Sequence, residues 1–133
     1  MKLIVCIDLE NGMLFNNRRQ SKDKILIEHI YKLIGNKKIW ISDFSRDLFE
    51  EDKYNLFEIE CFEKIKENDY VFIENISPKI LEDRINEIII FNWNRKYPAD
   101  LYFDISLENW KLESEIEIEG FSHEKITQKI YKR

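Results

Sequence analysis

Short apolar runs, each rich in β-branched residues and bounded by charged or polar residues, recur along the chain. A run that does not alternate with polar residues is typical of a strand covered on both faces, as in a parallel sheet. A shorter strand is also predicted for Leu56–Ile59. The sequence therefore predicts a mainly parallel sheet. The runs that show the pattern are Leu3–Ile7, Lys38–Ser42, Tyr70–Ile73 and Ile88–Phe91.

Helix signals occupy the segments between these runs. Ser21 is predicted to cap a helix whose first turn contains Asp23, where a carboxylate meets the positive end of the helix dipole. A short helix is predicted from Asp43 to Asp52, and Ser77-Pro78 starts another. Strands that alternate with helices indicate a three-layer α/β/α fold, with helices on both faces of the sheet.

The C-terminal part of the chain has a different pattern, because Trp110–Ile118 alternates apolar and polar residues. Alternation predicts a half-exposed antiparallel strand. The segment 120–124 makes a turn in which His123 is expected to be exposed. Ile126–Lys132 is the second strand of the predicted hairpin. The mainly parallel sheet is therefore closed by a C-terminal antiparallel hairpin. The residues predicted to form its solvated face include Glu113, Glu115 and Glu117.

Size and charge limit the possible classes of protein. The chain of 133 residues is predicted to form a single domain, residues 1–133. A net charge of −5 makes nonspecific binding to nucleic acids or anionic membranes unfavourable.

Cys6 and Cys61 fit no metal or redox spacing, which predicts two reduced thiols in a cytoplasmic protein. The first apolar run is too short to span a membrane.

Charged and polar residues follow the predicted strands at their carboxyl ends, where parallel sheets bind ligands. Arginine side chains bind phosphate or carboxylate groups through two parallel hydrogen bonds. We therefore predict a site for a small anionic or nucleotide-like molecule at this edge. The alternative is that these charges are solvated and balance an acidic protein. The predicted ligand-binding residues are Arg18, Arg19, Gln20, Glu74, Asn94, Arg95 and Tyr97.

Asp23 is the candidate catalytic residue beside this site. A wall of Phe15, Ile27 and Phe91 would raise its pKa, as general acid catalysis requires. The alternative role of Asp23 is to complement the dipole of the helix. No metal site is predicted, since the chain has only two histidines and they are far apart in sequence. No Ser-His-Asp order is recognisable.

Several stretches resemble the dihydrofolate reductase family. The start MKLIVCIDLENG resembles its first strand and the following loop, and QSKDKIL resembles the segment with its active-site carboxylate, here Asp23. KKIWISDFS falls where its second strand and cofactor-phosphate loop come, and YVFIENISPKILEDRINEIII resembles the segment around its glycine pair. ENWKLESEIEIEGFSHEKITQKIYKR has the family's tryptophan, hairpin turn and Ser-His pair. The resemblance implies the reductase fold, NADPH as cofactor and a pterin or folate substrate.

The departures from the family pattern lie around the cofactor. Glu74-Asn75 replaces the family's Gly-Gly turn, and without glycine the backbone cannot approach a nicotinamide–diphosphate as closely. Asp43 and Phe44 stand where the family has a basic residue and a threonine near cofactor phosphate, and a carboxylate repels phosphate. Phe91 replaces a threonine linked to the carboxylate. We therefore expect a retained scaffold and no cofactor, unless the resemblance outweighs these losses and NADPH still binds.

Two alternatives to a ligand-binding domain stay open. One is an enzyme, either a divergent pterin or folate-type reductase or a ribonuclease that uses Asp23 with the arginine cluster. The stretch RRQS-x-D resembles small bacterial proteins labelled ribonuclease Z, but the histidine-rich dinuclear metal motif of that enzyme class is missing. The other alternative is a protein-interaction module with an exposed apolar patch. The sequence does not determine the oligomeric state.

Overall fold

The computed structural model describes residues 1–50 and 55–133. Within these residues the chain forms one α-helix, α1 (Lys24–Ile34), and 3₁₀-helices at Asp43–Leu48, Phe62–Lys64 and Pro78–Arg84. The strands are β1 (Lys2–Ile7), β2 (Gly12–Phe15), β3 (Arg18–Arg19), β4 (Lys38–Ile41), β5 (Asn55–Glu58), β6 (Tyr70–Phe72), β7 (Glu87–Asn92), β8 (Leu101–Tyr102), β9 (Lys111–Ile118) and β10 (Ile126–Lys132).

The main sheet has seven strands in the order β5-β4-β6-β1-β7-β10-β9. The first five of these pair in parallel, and β10 pairs antiparallel with both β7 and β9. The predicted mainly parallel sheet with a C-terminal hairpin is thus confirmed. Strand β1 lies at the centre of the sheet. Leu3 and Val5 are buried on one face of the sheet, and Ile4 is buried on the other. This burial explains why the run is continuously apolar.

Both faces of the sheet are covered. On one face, Ile4 and Phe91 belong to a core that includes Leu26 and Ile30 of α1. On the other face, Val5 belongs to a core that is completed by the 3₁₀-helix Pro78–Arg84 and by the segment 103–110. The three-layer α/β/α arrangement is confirmed, although the second outer layer consists of a 3₁₀-helix and irregular chain instead of an α-helix.

The segment Asp8–Gln20, predicted as a loop, contains two short strands. Strand β2 pairs antiparallel with β3 on one side and β8 on the other, so that these form a second, three-stranded sheet. The connection between β2 and β3 is Asn16-Asn17, with φ angles of 51° and 58°. Hairpin turns that need positive φ at both central residues favour asparagine and glycine, so the Asn-Asn pair explains this hairpin.

Two predicted helix boundaries are wrong. Helix α1 begins at Lys24 and its N-cap is Asp23, whose side chain accepts hydrogen bonds from the backbone N–H groups of the first turn. Ser21 therefore does not cap this helix. The helix predicted from Asp43 to Asp52 is a 3₁₀-helix that ends at Leu48, and residues 51 and 52 lie outside the described residues. No helix in the described ranges is long and apolar enough to cross a membrane.

The C-terminal hairpin has the predicted polar face. Its glutamates are exposed and lie near lysines, with distances between the charged atoms of 3.3 Å for Lys132 and Glu113, 3.8 Å for Lys129 and Glu115, and 3.5 Å for Lys125 and Glu117. The other face is less covered than its apolar pattern suggests, because Leu112 and Ile116 are each 44% exposed. Strand β9 is at the edge of the sheet, which accounts for this exposure.

Candidate functional site

The loop after β1 is organised by the buried carboxylate of Asp8. Its Oδ1 accepts hydrogen bonds from the backbone N–H groups of Glu10 and Gly12, both at 2.8 Å. Its Oδ2 accepts hydrogen bonds from the backbone N–H of Tyr97 at 3.0 Å and from the Gln20 side chain at 3.3 Å. Asp8 thus brings two predicted site residues together. An aspartate shortly before Asn-Gly is a recognisable turn signal, and sequence reasoning missed it.

Arg19 forms an ion pair with Glu74, which lies just after the carboxyl end of β6. Its guanidinium donates two hydrogen bonds to the Glu74 carboxylate, at 2.6 and 2.9 Å, and two to Asp47, both at 3.1 Å. Ser45 donates a further hydrogen bond to Glu74 at 2.6 Å. The Glu74 side chain is 8% exposed and that of Arg19 is 17% exposed. This is a mostly buried ion pair that is fully hydrogen-bonded within the protein.

Arg19 stays protonated, and two carboxylates balance its positive charge. Hydrogen bonding to Glu74 raises the pKa of Arg19 above its ordinary value, despite the opposing effect of burial, and Asp47 adds to the increase. Hydrogen bonding from Arg19 in turn lowers the pKa of Asp47. Two carboxylates therefore already occupy the donors that a phosphate or carboxylate ligand would need at Arg19.

The carboxylate of Asp23 joins α1 to the turn of the C-terminal hairpin. Its Oδ1 accepts a hydrogen bond from the N–H of Ile25 at 2.9 Å, and its Oδ2 accepts hydrogen bonds from the N–H groups of Phe121 and Ser122, both at 2.9 Å. The Nδ1 atom of His123 lies 2.9 Å from the same Oδ2. Asp23 is thus a buried acceptor for donors from two distant segments.

The pKa of Asp23 is not raised, as an apolar wall around it would have made it, but lowered. Burial acts to raise this pKa, but hydrogen bonds, first from the Phe121 N–H and then from His123, hold it well below its ordinary value. The expected apolar wall is also incomplete, since Phe15 is 41% exposed. The carboxylate is therefore ionised, and it accepts hydrogen bonds instead of holding a proton.

His123 is buried, contrary to the expectation of an exposed turn residue. It is 3% exposed, and its ring stacks on Trp93 with the ring centroids 4.6 Å apart. Its Nε2 lies 2.9 Å from the Oγ of Ser21 and 3.4 Å from the hydroxyl of Tyr97. Ser21, His123 and Asp23 therefore form a continuous hydrogen-bonded chain. The sequence hid this chain because His123 is about 100 residues from Ser21 and Asp23 and meets them only through tertiary structure.

The other predicted site residues lie around this centre and do not converge with Arg19. Arg18 is exposed, and since neighbours in a strand point to opposite faces, its side chain points away from the Arg19–Glu74 pair. Arg95 donates a hydrogen bond to the carbonyl of Ser122 at 3.0 Å. Asn94 has a φ angle of 58° and hydrogen-bonds the carbonyl of Lys125 and the hydroxyl of Thr127.

A small cavity lies between α1 and the ends of β1 and β6. It has a volume of about 20 Å³, which is room for a single water molecule. The Oε1 atom of Gln20 is buried and has no hydrogen-bond partner among the described residues. Of the predicted site residues, those that line the cavity are Arg19, Gln20, Asp23 and Glu74.

A much larger groove of about 720 Å³ opens beside this cavity. It runs between α1, the 3₁₀-helix Asp43–Leu48 and the hairpin turn, and Ile27, Leu48 and Phe121 line it with apolar surface. We call it the α1 groove. Lys22, Asp23, Ile27 and Leu48 line both the cavity and the groove, so the two spaces adjoin.

Comparison with solved structures identifies the fold. The dihydrofolate reductase from Enterococcus faecalis, solved in complex with NADP(H) and RAB-propyl, superposes with a TM-score of 0.73. The match covers 99% of this chain and 95% of that one, at 11% sequence identity. The chain has the dihydrofolate reductase fold. No model of a protein family and no curated protein sequence matches it.

The cavity lies at the carboxyl edge of the parallel strands, where such sheets bind ligands, because Cys6 near the end of β1 and Phe72 at the end of β6 line it. The predicted fold is confirmed, while an identity of 11% carries no activity to this chain. Within residues 1–50 and 55–133, no group of three or more His, Cys, Asp or Glu side chains is arranged to hold a metal ion.

Proposed function

We propose that the protein binds a small anionic or nucleotide-like molecule in the α1 groove. The observation that carries the proposal is the groove itself, about 720 Å³ in volume, within the range of small-molecule sites. Ile27, Leu48 and Phe121 offer apolar surface for a ring. The neighbouring cavity of about 20 Å³ is too small for such a ligand, so the groove is the binding space.

Lysines are the cations of a groove whose lining also contains the carboxylates of Asp23, Glu28, Asp47 and Glu50. Those of Asp23 and Asp47 are already hydrogen-bonded within the protein, so we propose that the anionic group of the ligand lies at the lysines. Lys22, Lys24 and Lys32 line the α1 groove, and the Nζ of Lys24 lies 3.8 Å from the centroid of the Phe121 ring. Lysine binds a phosphate or carboxylate as a point charge, whereas the fork of Arg19 already engages Glu74 and is unavailable. The proposal therefore assigns the anion to the lysines instead of to the predicted arginine cluster.

We further propose that the protein does not use NADPH. The fit fails at Glu74, which replaces a glycine of the reductase pattern at the end of β6. Its buried carboxylate holds Arg19 and Ser45 in the space beside the strand end. A diphosphate brought there would meet a carboxylate, and the basic side chain that would offset the repulsion is already paired.

The contacts of Asp23 favour a binding protein over the two enzymes considered from sequence. A reductase or a ribonuclease that relies on this carboxylate needs it to exchange a proton with substrate. Here the Asp23 side chain is fully buried and accepts hydrogen bonds from Ile25, Phe121, Ser122 and His123. These donors support a role in fixing the site.

Thermal unfolding with a ligand panel tests the proposal. The panel contains nucleoside monophosphates, folic acid, a pterin and NADPH. We expect an anionic ring compound to raise the midpoint temperature of unfolding, because a ligand at 100 times its Kd stabilises the folded state by about 2.7 kcal/mol. NADPH should give no shift. Titration calorimetry of any hit then gives its Kd.

Charge reversal locates the binding site. Lys22→Glu and Lys32→Glu should weaken binding of the hit by at least tenfold, because each places a carboxylate at the α1 groove. Lys79→Glu is the matched control, since Lys79 is an exposed lysine in the 3₁₀-helix on the opposite face of the sheet. A flat response to the whole panel, or equal weakening by Lys79→Glu, would refute the groove as the site. An NADPH shift would refute the loss of the cofactor.

A further inference from the structure

The chain Ser21–His123–Asp23 has the arrangement of a serine nucleophile with its base. The Ser21 Oγ lies 2.9 Å from His123 Nε2, and His123 Nδ1 lies 2.9 Å from Asp23 Oδ2. A nucleophile within hydrogen-bond reach of a base that a third group orients is the signature of an activated serine. We propose that Ser21 is a nucleophile toward small carboxylic esters, with His123 as its base and Asp23 as the positioning residue.

The hydrogen bonds fix the tautomer that this chemistry needs. The Asp23 carboxylate accepts hydrogen bonds from the backbone N–H groups of Phe121 and Ser122, so it also faces Nδ1 of His123 as an acceptor and this nitrogen carries a proton. In the neutral ring the Nε2 lone pair is then free to accept. The hydroxyl of Ser21 then donates to Nε2. The Tyr97 hydroxyl is 3.4 Å from the same nitrogen, which is longer than a normal hydrogen bond, so Ser21 is its main partner.

The surroundings hold the base and leave the serine accessible. Stacking on Trp93 and burial restrict rotation of the His123 ring. Ser21 is half-buried on the segment before α1 and lines the small cavity next to the α1 groove. Ser21 does not line the α1 groove itself, so an ester bound in the groove has to extend its carbonyl into the adjoining cavity to reach the serine.

The proposed reaction has two balanced steps. In the first step, Ser21 Oγ bonds to the ester carbonyl carbon and its proton passes to His123 Nε2. The bond from that carbon to the alcohol oxygen breaks, and the alcohol leaves with the proton from His123. In the second step, water attacks the acyl-serine and gives a proton to His123, which returns it to Ser21 as the carboxylic acid departs.

Covalent labelling tests the proposal directly. A fluorophosphonate probe, which reacts with activated serines, should modify the folded protein once, and peptide mapping should place the adduct on Ser21. Turnover of p-nitrophenyl acetate is the second readout. Ser21→Ala should abolish labelling and lower the turnover rate by at least 100-fold, and His123→Gln should lower it similarly. Asp23→Asn should lower kcat without raising KM.

Controls separate catalysis from folding and from ligand binding. Ser106→Ala, a change at an exposed serine outside this chain of residues, should label and turn over like the unchanged protein. Thermal unfolding of Ser21→Ala should show an unchanged fold, and its affinity for any groove ligand should persist. Absence of labelling in the folded protein, or labelling that survives Ser21→Ala, would overturn the proposal. Neither result bears on whether the α1 groove binds an anion.

Discussion

The Nδ1 atom of His123 lies 2.9 Å from the Oδ2 atom of Asp23, although 100 residues separate them in sequence. This contact joins the turn of the C-terminal hairpin to the start of α1. The N–H groups of Phe121 and Ser122 bind the same carboxylate, so one side chain fixes both segments. The position of the turn beside the α1 groove therefore depends on Asp23.

Removal of the Asp23 side chain should destabilise the protein strongly. Asp23→Ala removes a helix N-cap and leaves buried donors without an acceptor, a combined loss of about 2–4 kcal/mol in the free energy of unfolding. Chemical unfolding followed by circular dichroism measures it. Asp83→Ala, at an exposed aspartate, is the control and should change little. A similar loss in both variants would contradict the role of Asp23.

Stability should fall in acid because of the same carboxylate. The pKa of Asp23 is lower in the folded state than the value of about 4 expected in the unfolded state. Between these two values the unfolded chain binds more protons, so its population rises as pH falls below about 4. Urea unfolding between pH 2 and 6 should show this decline in the unchanged protein.

The Asn variant isolates the contribution of Asp23 to that decline. Asp23→Asn cannot ionise, so its free energy of unfolding should depend less on pH below about 4. Asp47 also has a lowered pKa in the folded state, through its hydrogen bond to Arg19, so part of the decline should remain. An identical pH dependence in Asp23→Asn and the unchanged protein would exclude Asp23 as the source.

Gly120 is required by the close approach of the hairpin turn to Asp23. A Cβ atom at this position would lie 2.7 Å from the Asp23 Oδ2 and 2.7 Å from the His123 carbonyl oxygen. Gly120→Ala should therefore displace the turn and cost about 1–3 kcal/mol. The amide resonances of Phe121 and Ser122 should shift in an NMR spectrum. Gly35→Ala adds a Cβ with no heavy atom within 4 Å, although a φ of 60° strains an alanine at this position. This control should leave both resonances in place.

The sheet was predictable from sequence because its signals are local. The apolar run of β1 and the alternation of β9 each reflect burial within a few neighbouring residues, and the structure confirms both strands. Local patterns therefore predicted the scaffold.

The partners within the site could not be predicted, because they are set by tertiary contacts. The sequence shows Arg19 as a free cation, but its partner Glu74 is 55 residues away. It shows His123 as a turn residue, but the turn packs on Trp93 and Asp23. Asp23 displaces Ser21 as N-cap, and Ser21 bonds His123 instead.

The Arg19–Glu74 pair gives a prediction in which the two single variants differ. Arg19→Met leaves a buried carboxylate whose remaining partner is Ser45, which should cost about 3 kcal/mol. Glu74→Gln should cost less, because Arg19 keeps Asp47 as a partner. The double variant Arg19→Met, Glu74→Met should recover most of the loss, since apolar side chains of similar size leave no buried charge. Urea unfolding of the three variants measures these differences in the free energy of unfolding.

Lys64→Ala, which removes an exposed pair with Glu60, is the control and should be indistinguishable from the unchanged protein. If the double variant were no more stable than Arg19→Met, the loss would reflect packing of the guanidinium and not the buried charge of Glu74.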